Sequence, residues 1–153
     1  MKNRGFEIIE EYKDKDIRLP ERKTKYSAGY DIESAIDITI PAYKKGIKPV
    51  LIPTGLKAYC NNDEYYIVAN RSSNPIKRHL VLSNGIGIID ADYYNNEDNE
   101  GHIQFMFYNF NNEDITIHKH DIIGQIIFNK YLTIDNDNAK GTRKGGFGST
   151  DKK

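Results

Sequence analysis

Short runs of alternating apolar and polar residues recur along this chain, and the intervals between them are too short for crossover helices. Ile36-Asp37-Ile38-Thr39-Ile40 and Ile115-Thr116-Ile117-His118 keep a period of two, which turns one face of each run toward a core. Tyr65-Tyr66-Ile67-Val68-Ala69 and Ile103-Gln104-Phe105-Met106-Phe107-Tyr108 are rich in aromatic and β-branched residues, which suit a pleated surface. Ile122-Ile123-Gly124-Gln125-Ile126-Ile127-Phe128 reads as a buried strand with one polar residue at its centre. Pro41, Pro49 and Pro53, with Gly46 and Gly55, punctuate the intervals as turns or edge positions. This pattern predicts an all-β sandwich or barrel. One short helix is predicted from about Asn74 to His79, with Ser73 or Asn74 as its cap and Pro75 in its first turn. At 153 residues the chain is one domain with enough length for a real core.

Charge removes several function classes. Lys+Arg and Asp+Glu are both 22, so the net charge is +0, against the basic excess usual in a duplex nucleic-acid binder. A small anionic ligand held by two or three cations is compatible with that balance. The single cysteine, Cys60, cannot form an internal disulfide and fits a reducing compartment. No apolar run approaches the ~20 residues that span a membrane, and Met1-Lys2-Asn3-Arg4-Gly5 lacks the apolar segment of a signal peptide. The expectation is a cytoplasmic protein.

The stretch Asn84-Gly85-Ile86-Gly87-Ile88-Ile89-Asp90-Ala91-Asp92-Tyr93-Tyr94 carries the densest chemistry. Its glycines allow a tight turn and close approach of backbone to a flat ligand. Apolar walls leading to a carboxylate can raise its basicity by desolvation. Alone, the stretch also fits an ordinary β-hairpin with a solvated acid. Arg71-Ser72-Ser73 precedes the predicted helix and suits phosphate oxygens, or serves as a plain cap beside a surface arginine. Gln125 needs partners inside its strand, from backbone or from a ligand. In the tail, Gly141 to Lys153, Phe147 could cover a base while Arg143, Ser149 and Thr150 reach phosphates; a glycine-rich terminus can equally be disordered. Asp31, in the Ala28-Gly29-Tyr30-Asp31 turn, could support a cation or an arginine, or be a turn acid. His118 and His120 would share a strand face but lack a third ligand for zinc. His79 and His102 read as surface residues.

The order of these pieces resembles the five ordered motifs of the trimeric deoxyuridine triphosphatases (dUTPases), from about Leu19 to Thr150. The most specific matches are Gly87-Ile88-Ile89-Asp90-Ala91-Asp92-Tyr93 and Gly146-Phe147-Gly148-Ser149-Thr150. The resemblance implies a jelly-roll β-barrel over residues 1–140, with residues 141–153 as a flexible arm that closes the active site. It implies a homotrimer whose sites are shared between chains, the arm crossing to a neighbour. The implied reaction converts dUTP to dUMP and pyrophosphate with Mg2+, limiting uracil in DNA and supplying dUMP for dTMP synthesis. Asp90 would be the general base acting on the water that attacks the α-phosphorus. Asn84 and the backbone after it, with Gly87 and Ile89, would read uracil, and Tyr93 would pack under the deoxyribose and exclude a 2′-hydroxyl. Arg71, Ser72, Ser73 and Gln125 would hold the triphosphate. Arg143, Gly148, Ser149 and Thr150 would close over it, Phe147 stacking on the base. Asp31 would support the phosphates or the metal's water shell, magnesium being held by phosphates and water rather than by side chains.

Some positions depart from the family pattern. Asn70 stands where glycine or proline is common, Asn74-Pro75 replaces Leu-Ala, Ile122 replaces an arginine, and Asp151 replaces a glycine. Tyr94 to Gly101 is longer than the commonest turn and reads as a solvent loop, with room for a regulatory protein partner near Asn95 to Glu100. The rival of the same fold is a dCTP deaminase, but its catalytic glutamate would fall at Met106, and a thioether cannot shuttle protons. A second rival, a non-catalytic regulatory protein, predicts a lost base or broken arm, and neither is lost here.

Overall fold

The computed structural model describes residues 1–148 together with 150 and 151. Eleven strands, β1 (Gly5–Ile8), β2 (Tyr30–Glu33), β3 (Ile38–Ile40), β4 (Val50–Pro53), β5 (Leu56–Tyr59), β6 (Glu64–Asn70), β7 (Leu80–Leu82), β8 (Ile86–Asp90), β9 (Gln104–Asn109), β10 (Ile115–Ile117) and β11 (Ile122–Lys130), carry the fold. They form four sheets, ordered β2-β11-β6-β8, β4-β9-β7, β1-β5 and β10-β3, and every ladder between these strands is antiparallel. The all-β expectation holds, and the sheets wrap one core.

Alternation places that core. Along β9 the residues alternate between half-buried and buried, so Phe105, Phe107 and Asn109 face inward while Gln104, Met106 and Tyr108 face outward. Ile32, Ile52, Tyr66, Ile103, Phe105 and Ile126 are wholly buried and meet in the centre. β11 is the hub, pairing with β2 on one side and β6 on the other.

Helix is confined to single turns. The predicted helix is one wide turn over Asn74–Arg78, closed by His79, whose N–H donates five residues back to the Asn74 carbonyl. Neither predicted cap works as one. Ser73 makes no capping bond, and Asn74 is buried, its amide donating to the Ile123 carbonyl and to the Asn70 side chain. Two more turns, Glu10–Tyr12 and Ala91–Tyr93, carry no periodic signal because three residues are too few to show one.

The Asn84 stretch is not a self-contained hairpin. β7 pairs with β9 and β8 pairs with β6, so the chain crosses between two sheets at Ser83 to Gly85. His102 is buried rather than superficial, its Nε2 accepting from the Gly55 N–H at 3.0 Å. Burial lowers its pKa, so the ring is neutral.

Glu64 ties the N-terminal strand to the hub sheet. It is almost fully buried and accepts from Arg4 Nε at 3.0 Å and Arg4 Nη2 at 2.5 Å. The Arg4 hydrogen bonds hold its carboxyl below the usual glutamate range. A carboxyl depressed in the folded state contributes stability above its unfolded pKa of about 4.3 and loses it as pH falls through the lower folded value. Thermal melts should therefore show the midpoint dropping below pH ~4.3. Glu64→Gln should lower the midpoint at pH 7 by a few degrees and flatten that acid limb; an unchanged limb would assign it to other carboxylates.

Candidate active site

β8 lies on the edge of the hub sheet and forms one wall of a cavity of about 220 Å³. Its lining includes Asn84, Gly87, Ile89, Asp90, Tyr93 and, from the arm, Phe147. Ile86 and Ile88 share their strand face with Asp90 and are each more than half exposed, Ile88 reaching the cavity lining as well. The isoleucine run therefore does not enclose Asp90. Its side chain is 56% exposed at the cavity mouth, because it ends the edge strand where the chain turns away through Ala91–Tyr93.

A cation from the arm meets that carboxylate. Arg143 Nη2 donates to Asp90 Oδ2 at 2.5 Å and Arg143 Nε donates to Asp92 Oδ1 at 2.7 Å. Gly145 is buried against Asp98, and a Cβ at Gly146 would come within 2.7 Å of Tyr93 Cε2, so only glycine lets the arm lie this close. The arm of this chain thus covers its own cavity, with Phe147 at the lining but 66% exposed. Gly148 and Thr150 are exposed, and Ser149 lies outside the described residues.

The predicted phosphate residues gather elsewhere. Gln125 on β11 stands opposite Asp31 on β2 and opposite Ala69 on β6. Its Nε2 approaches the Asn70 carbonyl at 3.4 Å, and Gly29 packs against its amide so tightly that a Cβ there would collide with Oε1. Arg71 and Ser72 are exposed directly beyond β6, and Ser73 is half-buried. The two departures Asn70 and Asn74 bond each other at 2.9 Å, fastening this loop to the end of β7 and to β11 through the Leu80 and Ile123 carbonyls. Ile122 stands opposite Glu33, which pairs with Arg18 instead and lies within hydrogen-bond reach of His120 Nδ1 at 2.9 Å.

Register fixes the distance between the two groups. Asp90 is opposite Tyr65, and Gln125 is opposite Ala69, four residues along β6. With about 3.3 Å per residue and two strand spacings of about 4.8 Å, Asp90 and Gln125 are roughly 16 Å apart. Arg71 is two residues farther on.

Other candidates separate. His118 meets Asp37 and His120 meets Glu33 and Asp16, and among the described residues no three ligating side chains converge on a metal site. Met106 lines the cavity with a thioether, so no carboxylate occupies the place a deaminase needs. The Tyr94–Gly101 segment is not a free solvent loop. Asn96 is buried, and its side-chain oxygen accepts from the Asp98 and Asn99 N–H groups. Lys57, also buried, donates to Asn95 Oδ1 at 2.7 Å and Glu100 Oε1 at 2.6 Å. Repeated asparagines signal turns, but the buried lysine they bond is remote in sequence, which hid the anchoring.

The dUTPase family model matches residues 15–151. A deoxyuridine 5'-triphosphate nucleotidohydrolase of Lactococcus lactis is 48% identical over 152 residues, covering 98% of this chain and 99% of that protein. A crystal structure of dUTPase from Streptococcus mutans superposes with TM-score 0.80 at 42% identity, over 86% of this chain and 99% of that one. The dUTPase of Staphylococcus aureus phage phi11, studied as a D95N mutant for coordination of a structural Mg(II) ion, shares the fold at 19% identity and TM-score 0.70, over 92% of this chain and 98% of that one.

Proposed function

The chain belongs to the dUTPase family, and on that premise we propose that it hydrolyses dUTP to dUMP and pyrophosphate in sites shared between copies. The observation that carries the reading is the cavity beside β8, with backbone at its wall, a carboxylate at its mouth and an arginine and aromatic from the arm over it. Uracil enters against Asn84, Gly87 and Ile89, whose main chain can donate to and accept from the base edge. Tyr93 supports the deoxyribose. Asp90 takes a proton from the water that attacks the α-phosphorus; the new P–O bond forms as the bond to the β-phosphate oxygen breaks, and pyrophosphate leaves. Asp31, Arg71, Ser72, Ser73 and Gln125 serve the phosphates. Arg143, Phe147, Gly148, Ser149 and Thr150 close the site.

The separation of roughly 16 Å between Asp90 and Gln125 supports a shared site, since both must act near one α-phosphorus. A homotrimer supplies the missing half from a neighbour. The outer face of β4-β9-β7 favours that assembly: Leu51 pairs with Met106 and Val81 with Tyr108, and Tyr43 and Phe110 extend an exposed apolar patch. Residues 131–142 are exposed throughout, including Leu132 and Ile134, so the arm has length to exchange its own cavity for a neighbour's.

Magnesium fits this donor set as a phosphate-bound ion. It keeps several waters and uses substrate oxygens, so it needs no cage of carboxylates, and Asp31 stands opposite Gln125 across the ladder. When bound it neutralises triphosphate charge.

Pyrophosphate release measured on dUTP, dTTP, dCTP and UTP, with and without magnesium, tests the reading. dUTP with magnesium should exceed each competitor by about 10²-fold or more, the scale on which closed sites reject a wrong group. Equal release from dTTP, or ammonia from dCTP, would overturn it.

A further inference from the structure

We propose that Asn99, in the long loop after Tyr93, is a positioning residue that fixes the Tyr93 ring and thereby sets discrimination between deoxyribose and ribose. The proposal rests on the dUTPase reading of the cavity.

The Tyr93 hydroxyl is filled on both sides. It donates to the His102 carbonyl at 2.8 Å and accepts from Asn99 Nδ2 at 2.8 Å. A phenol has one proton to give, so with that proton committed to His102 the second bond needs a donor, and an amide nitrogen supplies it. The orientation of the Asn99 amide is not arbitrary. Its Oδ1 accepts from Asn96 Nδ2 at 2.8 Å and from the Gly101 N–H at 3.0 Å, leaving Nδ2 for the tyrosine. Asn96 also donates to the Tyr93 carbonyl at 2.8 Å, so the same loop grips Tyr93 at its backbone and at its far end.

The grip is braced from outside. Lys57 holds Asn95 and Glu100, and Glu100 Oε2 accepts from the Glu10 N–H at 3.0 Å. On the other side, Gly146 of the arm lies against the ring edge. The ring lines the cavity beside Asp90 and is only 6% exposed. A 2′-hydroxyl adds one oxygen against this wall. A wall that yields accepts it at little cost, whereas a ring fixed at both ends does not.

Asn99→Asp tests this, because it keeps the shape and the Oδ1 acceptor but turns the donor into a second acceptor, so the one phenolic proton of Tyr93 cannot serve both it and the His102 carbonyl. Pyrophosphate release from dUTP and UTP is measured for the full chain, Asn99→Asp, Tyr93→Phe and the double variant. The ratio of kcat/KM for dUTP over UTP should fall about tenfold in Asn99→Asp, the scale of one hydrogen bond, and comparably in Tyr93→Phe. In the double variant it should stay within about twofold of Tyr93→Phe, because the two changes remove one interaction. A full tenfold further fall in the double variant would show Asn99 acting on the loop alone and overturn the proposal. So would an unchanged ratio in Asn99→Asp or, should that variant not fold, in Tyr93→Phe. If the unaltered chain releases no pyrophosphate from dUTP, the reaction assigned to the cavity fails and the proposal fails with it; normal dUTP turnover with an unmoved ratio sinks the proposal alone.

Discussion

Asp90→Asn lowers kcat for dUTP by about 10²–10⁴-fold, the contribution of a positioned general base, while binding of a non-hydrolysable dUTP analogue changes little. The amide keeps the size of the carboxylate but cannot take a proton at neutral pH. No other carboxylate replaces it directly: Asp92 is held by Arg143 Nε and Asp98 faces Gly145 of the arm. Asp90 is more than half exposed, so a substituting side chain needs no burial of a polar group, and the fold survives the change. The same variant releases the Arg143 Nη2 contact, a surface ion pair whose loss costs stability little. Single-turnover pyrophosphate release separates chemistry from binding. A variant that keeps the parental rate would place the base elsewhere.

The second large effect belongs to the arm. Ending the chain at Gly141 should reduce kcat/KM for dUTP by about 10³-fold, the scale of an arginine that stabilises phosphoryl-transfer charge. The guanidinium that now grips Asp90 and Asp92 suits phosphate oxygens equally, because its fork matches either anion. Phe147 would be lost with it. The body should keep its circular dichroism and melt within a few degrees, since the arm adds no residue to the central core cluster. An unfolded product would make the arm structural, and full activity would remove it from the site.

Particular residues show how far sequence carries. The period of two in residues 36–40 and 115–118 reports which side chains face inward, because successive strand residues point to opposite faces whatever the sheet order. The order of the motifs identified the family by resemblance, because that order is read along the chain whatever the residues meet in space. The loop near Asn95 to Glu100 was misread because its anchors, Lys57 and Glu10, are remote along the chain. His102 was misread likewise, since its partner is the Gly55 backbone.

By itself, the sequence determined the all-β class, which follows from local periodicity, and the family, which follows from the resemblance of its ordered motif residues. Only the tertiary structure decided which of these residues meet. Register along β6 separates Asp90 from Gln125, and the fold of the arm brings Arg143 to Asp90 across more than fifty residues. Strand pairing and loop anchoring are long-range choices set by packing, and a one-dimensional pattern does not encode the partner across the sheet.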